Sequence, residues 1–157
     1  MKPSLNTYEI LAQAPFGAVG VRVQGELVTE IALLPAALAR SAKSFNAHHA
    51  LTPQIQEYFS NPRVQFNMKH EVAGTPYQRL VWQAISAIPC GETRTYAELA
   101  QQIGSGSRAV ANACGANPFP LVVPCHRVVA KNGLGGFMQG FEGALEIKKW
   151  LLAHETN

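Results

Sequence analysis

A chain of 157 residues, 47% of them hydrophobic and 15% charged, has the apolar material for a real core, arranged as one two-part unit or as two small domains. A formal charge of +3 and a pI near 8.9 permit a polyanionic partner without demanding one. All ten acidic residues are glutamates, which excludes any chemistry built on a catalytic aspartate, and three cysteines, Cys90, Cys114 and Cys125, suit neither a disulfide framework nor a zinc site.

An odd number of cysteines is most simply that of a reduced compartment. Near the start, Lys2 and Leu11-Ala12-Gln13-Ala14 superficially suggest a secretory signal, but Asn6, Glu9 and Gln13 interrupt the apolar stretch such a signal needs. The longest apolar run, Ile31 to Ala39, contains Pro35 and is far short of a membrane span, so a soluble, cytoplasmic protein is expected.

In chain order, Thr7 to Leu11, Ala18 to Val23 and Leu27 to Leu34 are short β-prone runs separated by Pro15-Phe16-Gly17 and Gln24-Gly25, a pattern that predicts antiparallel hairpins. Thr52-Pro53 reads as a cap followed by proline at the first helical position, opening a helix that Asn61-Pro62 ends after Ser60. Residues 69 to 74 mix charge with a glycine and mark a boundary, giving domains 1–74 and 75–157. Thr75-Pro76 repeats the start signal, and Leu80, Val81, Ala84, Ile85 and Ile88 supply an apolar face up to Pro89.

Thr95-x-x-Glu98 is a capping box for a helix through Ile103. Gly104-Ser105-Gly106 makes a short turn, and Ser107 is placed to cap a second helix from Arg108 to about Ala116. Helix, glycine turn, helix is the arithmetic of a helix-turn-helix, and equally of a packing hairpin that never meets DNA. The second helix offers one guanidinium, one amide and otherwise small apolar groups. That is poor material for a base-edge code, though small side chains let a helix approach a groove wall closely.

Pro124-Cys125-His126-Arg127 places a thiol beside an imidazole. A thiol is a strong nucleophile only as thiolate, and imidazole is the usual group that takes its proton. In an extended segment neighbouring side chains point to opposite faces, so His126 would reach Cys125 only through a sharp turn or an intervening water. Lys131 to Gly143 then holds five glycines in thirteen residues, a backbone that is mobile or takes conformations only glycine tolerates.

Pro124-Cys125-His126-Arg127-Val128 resembles the active-site signature of the O6-alkylguanine-DNA alkyltransferases, also called methylated-DNA–protein-cysteine methyltransferases. The resemblance runs from about Thr75 to Glu155, half of the chain. It includes Thr75-Pro76-Tyr77-Gln78-Arg79, Gly91-Glu92-Thr93-Arg94-Thr95-Tyr96, Arg108-Ala109-Val110, Asn117-Pro118 and Lys149-Trp150-Leu151-Leu152. It implies an α+β fold, with a small β-rich N-terminal α/β domain of ribonuclease H-like type followed by a mainly helical, winged-helix-like domain containing the helix-turn-helix.

The resemblance also implies single-use repair of double-stranded DNA. Alkyl groups on O6 of guanine, and on O4 of thymine, would pass irreversibly to Cys125 with no metal or organic cofactor, in a monomer bound through the minor groove. His126 would draw the thiol proton through water, Glu155 would orient His126, and Asn117 would hold backbone near the nucleophile. Tyr96, Val128, Met138 and Lys148 would meet the substrate. Thr95, Arg108, Ala109 and Ala113 would meet DNA, with Arg108 filling the gap left by an extruded nucleotide. Arg127 would pair with a carboxylate to hold the loop. From the residues alone, Glu155 near the end of the sequence reads as solvated, and Cys90 and Cys114 as structural thiols.

Gly136-Phe137-Met138-Gln139-Gly140-Phe141 departs from the family pattern, with phenylalanine and methionine where tyrosine and serine are often seen and a loop a few residues longer. A backbone amide near Met138 could donate to O6; a hydroxyl could not. The alternatives are a non-catalytic lesion sensor, against which Cys125 argues, a plain helix-turn-helix DNA-binding protein, which leaves Pro124 to Arg127 with Glu155 unexplained, and, weaker again, a cysteine hydrolase.

Overall fold

A computed structural model describes residues 7–44 and 48–156, which form a mixed α/β fold divided into two compact units between Val72 and Ala73. In the first unit, β2 (Ile10–Ala14), β3 (Gly17–Gln24) and β4 (Leu27–Pro35) form the antiparallel hairpins expected from the β-prone runs, the first strand starting at Ile10 and running on to Ala14 where Thr7 to Leu11 was expected. Gln24 pairs with Leu27, and Gly25 takes the positive φ of 62° that so tight a hairpin demands. Tyr8, Ala18 and Leu34 form a core cluster with Leu11 and Leu38 packed against it. A parallel pair that the sequence pattern did not reveal joins β1 (Thr7–Tyr8) to β5 (Lys43–Ser44), after the short helix α1 (Ala36–Ala39).

Helix α2 is Leu51–Ser60, burying Leu51, Ile55 and Tyr58. Its start corrects the Thr52-Pro53 reading: the cap residue is Ala50, and the Leu51 N–H donates to His49 Nδ1 at 3.0 Å, so an upstream histidine satisfies a free donor and Pro53 lies inside the first turn.

The second unit is mainly helical. Helix α3 (Pro76–Ser86) opens on a capping box in which Thr75 accepts from the Gln78 N–H and Gln78 answers to the Thr75 N–H. Its buried face is Val81, Trp82 and Ile85; Leu80, read as core, is exposed, because the indole takes the inward position and donates from Nε1 to Ala113 O at 2.8 Å. The strand β6 (Arg94–Thr95) pairs in parallel with β7 (Val128–Val129) and carries the chain into α4 (Tyr96–Ile103), capped by Thr95 and Glu98 as expected. Helix α5 is Ser107–Gly115. Ser107 is its first residue and not its cap: the cap position is Gly106, with no side-chain bond. Helix α6 (Ala144–Thr156) buries Ala144, Ile147, Lys148, Leu151 and Glu155 along one stripe. Among the described residues no helix is long and apolar enough to cross a membrane.

Candidate active site

The segment from Asn117 to Pro124 holds the nucleophile. Asn117 donates from Nδ2 to Val123 O at 2.9 Å and accepts from the Phe119 N–H at 2.9 Å, tying both ends of the loop. Inside it, buried Leu121 has φ 79°, a left-handed conformation that costs a branched side chain about 1 kcal/mol or more. Cys125, His126 and Arg127 then form one 3-10 turn, so the dipeptide is not extended.

Cys125 is 4% exposed and borders a cavity of about 420 Å³ with Tyr96, Cys114, Gly136, Phe137 and Met138. Burial pushes its thiol pKa up, opposed by a hydrogen bond from the Asn117 side chain and by the Lys148 charge. His126, fully buried, bonds through Nε2 to Glu155 Oε2 at 2.8 Å. A carboxylate only accepts, so Nε2 carries the hydrogen and Nδ1 is the basic nitrogen; Nδ1 is buried and finds no hydrogen-bond partner among the described residues. Burial lowers the His126 pKa, against the opposing pull of Glu155. At rest the pair is therefore thiol and neutral imidazole.

Glu155 is 3% exposed, the opposite of a solvated terminal residue. Besides His126 it accepts from Arg127, Nε to Oε1 at 2.8 Å and NH2 to Oε2 at 3.0 Å, while Arg127 NH1 donates to Ile88 O at 2.7 Å. A two-pronged guanidinium holds the carboxylate that holds the imidazole. Arg127 is thus paired as anticipated.

Lys148 corrects its expected role. It is fully buried, and Nζ gives its three hydrogens to the carbonyls of Val128 (2.8 Å), Leu134 (2.6 Å) and Gly136 (2.8 Å). Neither Lys148 nor Val128 lines the cavity; they bond to each other and secure its wall. Burial drops the Lys148 pKa to about 8, with the Cys125 and Cys114 thiols pulling the other way.

Tyr96, the first residue of α4, lines the cavity, and burial raises its pKa. Gly135 packs directly on it at φ 75°, and a Cβ there would lie 2.6 Å from the Tyr96 hydroxyl oxygen. Gly135→Ala is accordingly expected to displace either the phenol or the loop and to slow reaction of any cavity-bound substrate at least tenfold, read as a single-turnover rate beside a melting curve. Met138 and Gln139 also have positive φ, 49° and 63°, so strained backbone lies beside the cavity.

On α5, Arg108 and Ala109 are exposed, and Thr95 has its hydroxyl oxygen committed to the Glu98 N–H. Ala113, expected to face DNA, is instead buried, 2% exposed, with its carbonyl accepting from Trp82 Nε1. Sequence reasoning gave Cys114 no role beyond structure, yet it lines the same cavity as Cys125, its pKa pushed up to about 12 by burial and by Cys125. Among the described residues no three His, Cys, Asp or Glu side chains gather as a metal site.

Residues 76–157 match the family described as 6-O-methylguanine DNA methyltransferase, DNA binding domain. The chain belongs to this methyltransferase family. A methylated-DNA–protein-cysteine methyltransferase of Bacillus subtilis, the constitutive one, is 36% identical over 156 residues, 92% of this chain and 93% of the relative. The Salmonella typhimurium methyltransferase is 45% identical over 108 residues, 67% of this chain, and the match spans only 61% of that relative's length. Among solved structures, Mycobacterium tuberculosis OGT in complex with DNA aligns with TM-score 0.73 and 32% identity, covering 93% of this chain and 91% of that one. For a member of the methyltransferase family, the buried thiol at a cavity and the His126–Glu155–Arg127 network are the features that bear on chemistry.

Proposed function

We propose that this protein repairs O6-alkylguanine, and O4-alkylthymine, in double-stranded DNA by moving the alkyl group irreversibly to Cys125. The observation that carries the reading is a buried thiol bordering a cavity, next in sequence to an imidazole whose outer nitrogen is bound to a buried carboxylate. The thiol proton passes by way of water to His126 Nδ1, and Glu155 with Arg127 stabilises the imidazolium that forms. Sγ attacks the alkyl carbon; the carbon–O6 bond breaks as the thioether forms, and its electrons stay on the base, which then takes a proton. Tyr96 donates to N3 of the leaving guanine, and the backbone near Met138 donates to O6. No group here cleaves a thioether, so each molecule acts once, and the transfer needs no metal or cofactor.

Helix α5 enters the minor groove of an otherwise intact duplex, Arg108 occupies the vacated stack, and Thr95 and Ala109 approach the backbone. The second unit is a winged-helix-like domain and the first a ribonuclease H-like one, in a cytoplasmic monomer. The test is restoration of guanine in a duplex with a single O6-methylguanine: wild type and Cys90→Ala restore it, Cys125→Ala does not. Restoration by Cys125→Ala, or none by wild type, rejects the reading.

A further inference from the structure

Two polar ties run from α3 to the two ends of α5. At the far end, Trp82 Nε1 donates to Ala113 O at 2.8 Å. At the near end, the Tyr77 hydroxyl lies 2.7 Å from Ser105 Oγ, a partly buried bond spanning 28 residues of sequence. Ser105 is the only side chain in the Gly104-Ser105-Gly106 turn. The turn backbone is anchored to α4, through the left-handed Gly104 (φ 73°) and the Ser105 N–H to Ala100 O at 2.8 Å. Packing does not wedge it: a Cβ added at Gly104 or at Gly106 would meet nothing within 4 Å. The first bond of α5, Val110 N–H to Gly106 O at 3.1 Å, starts from this turn, and exposed Arg108 and Ala109 follow it at once.

We propose that Tyr77 is a positioning residue for DNA engagement: its bond to Ser105 fixes the turn from which α5 starts, and with it the direction in which Arg108 is presented. This rests on the reading of α5 as the DNA-facing helix. Tyr77 touches neither the cavity nor the reacting atoms, so its effect falls on duplex binding and not on the displacement itself. A neutral, partly buried hydrogen bond that biases the turn toward one geometry is worth about threefold to tenfold in an equilibrium.

The experiment compares Tyr77→Phe, Ser105→Ala and the double variant on two substrates, a duplex bearing O6-methylguanine and free O6-benzylguanine, whose benzylic carbon needs no DNA contact to react. In each single variant the duplex concentration giving half-maximal rate rises about threefold to tenfold, while the maximal duplex rate and the free-base rate stay at wild type. The double variant equals the singles, since both remove one bond. Unshifted duplex dependence, additive losses in the double variant, or a parallel fall on the free base overturns the proposal. Should Tyr77→Phe fold poorly, Ser105→Ala in the open turn gives the same readout. A wild-type protein inert toward both substrates rejects the functional reading itself; a reactive wild type with unshifted variants rejects only the role of Tyr77.

Discussion

Glu155→Gln slows alkyl transfer about 100-fold at neutral pH while binding to alkylated DNA stays near wild type. The carboxylate accepts from His126 and twice from Arg127 in a site 3% exposed. A carboxamide has one oxygen for these donors and turns an NH2 toward at least one of them. It also removes the negative charge that favours imidazolium and offsets a guanidinium whose side chain is 12% exposed, so a stability loss of about 2–3 kcal/mol accompanies the kinetic one. The pH dependence separates the two effects. Burial holds the Cys125 thiol protonated and His126 neutral, so the rate climbs as pH rises toward the thiol titration. The glutamine variant closes the gap at higher pH, where the thiol ionises without a base. A constant rate ratio across that range means Glu155 does not act through Cys125. Thiols whose folded pKa lies above the unfolded value, Cys114 at about 12 and Cys125, contribute stability that is complete below about pH 9 and lost as pH climbs toward the folded values. Above that point each rate is therefore paired with a melting curve at the same pH, so that lost stability is not read as lost chemistry.

Lys148→Met is expected to cut transfer more than tenfold on duplex and free base alike, with a much smaller change in melting temperature. Three carbonyls of the cavity wall lose their donor, and Cys125 loses a cation that favours its thiolate. Stability changes less because the buried ammonium carries a desolvation cost, visible in a pKa lowered to about 8, which methionine removes while keeping the volume. A wild-type free-base rate in this variant would show that the wall holds without Lys148.

Local signals in the sequence reached the structure well. The start signal at Thr75-Pro76, the capping box at Thr95, the glycine turn at Gly104-Ser105-Gly106 and the β-prone runs between Thr7 and Leu34 each act within a few residues, and each recurs in the fold. Long-range partners stayed hidden. Leu80 lies outside and Trp82 inside because Ala113 O, far along the chain, accepts the indole. Helix α2 starts early because of His49. Lys148 and Glu155 sit in the stripe of Ala144, Ile147 and Leu151, and a charge in an apolar stripe is a readable sign of burial. Its partners, three carbonyls for one and His126 with Arg127 for the other, lie beyond what any periodicity encodes. Cys114 likewise becomes informative only once the fold sets it on the cavity beside Cys125.

Irreversible transfer to one thiol is read out by mixing the protein with excess duplex containing O6-methylguanine and measuring intact mass, then peptide masses. The reaction is expected to stop when each molecule has gained a single methyl group, carried on the peptide containing Cys125. Continued consumption of methylated duplex, or a methyl group on any other residue, would contradict it.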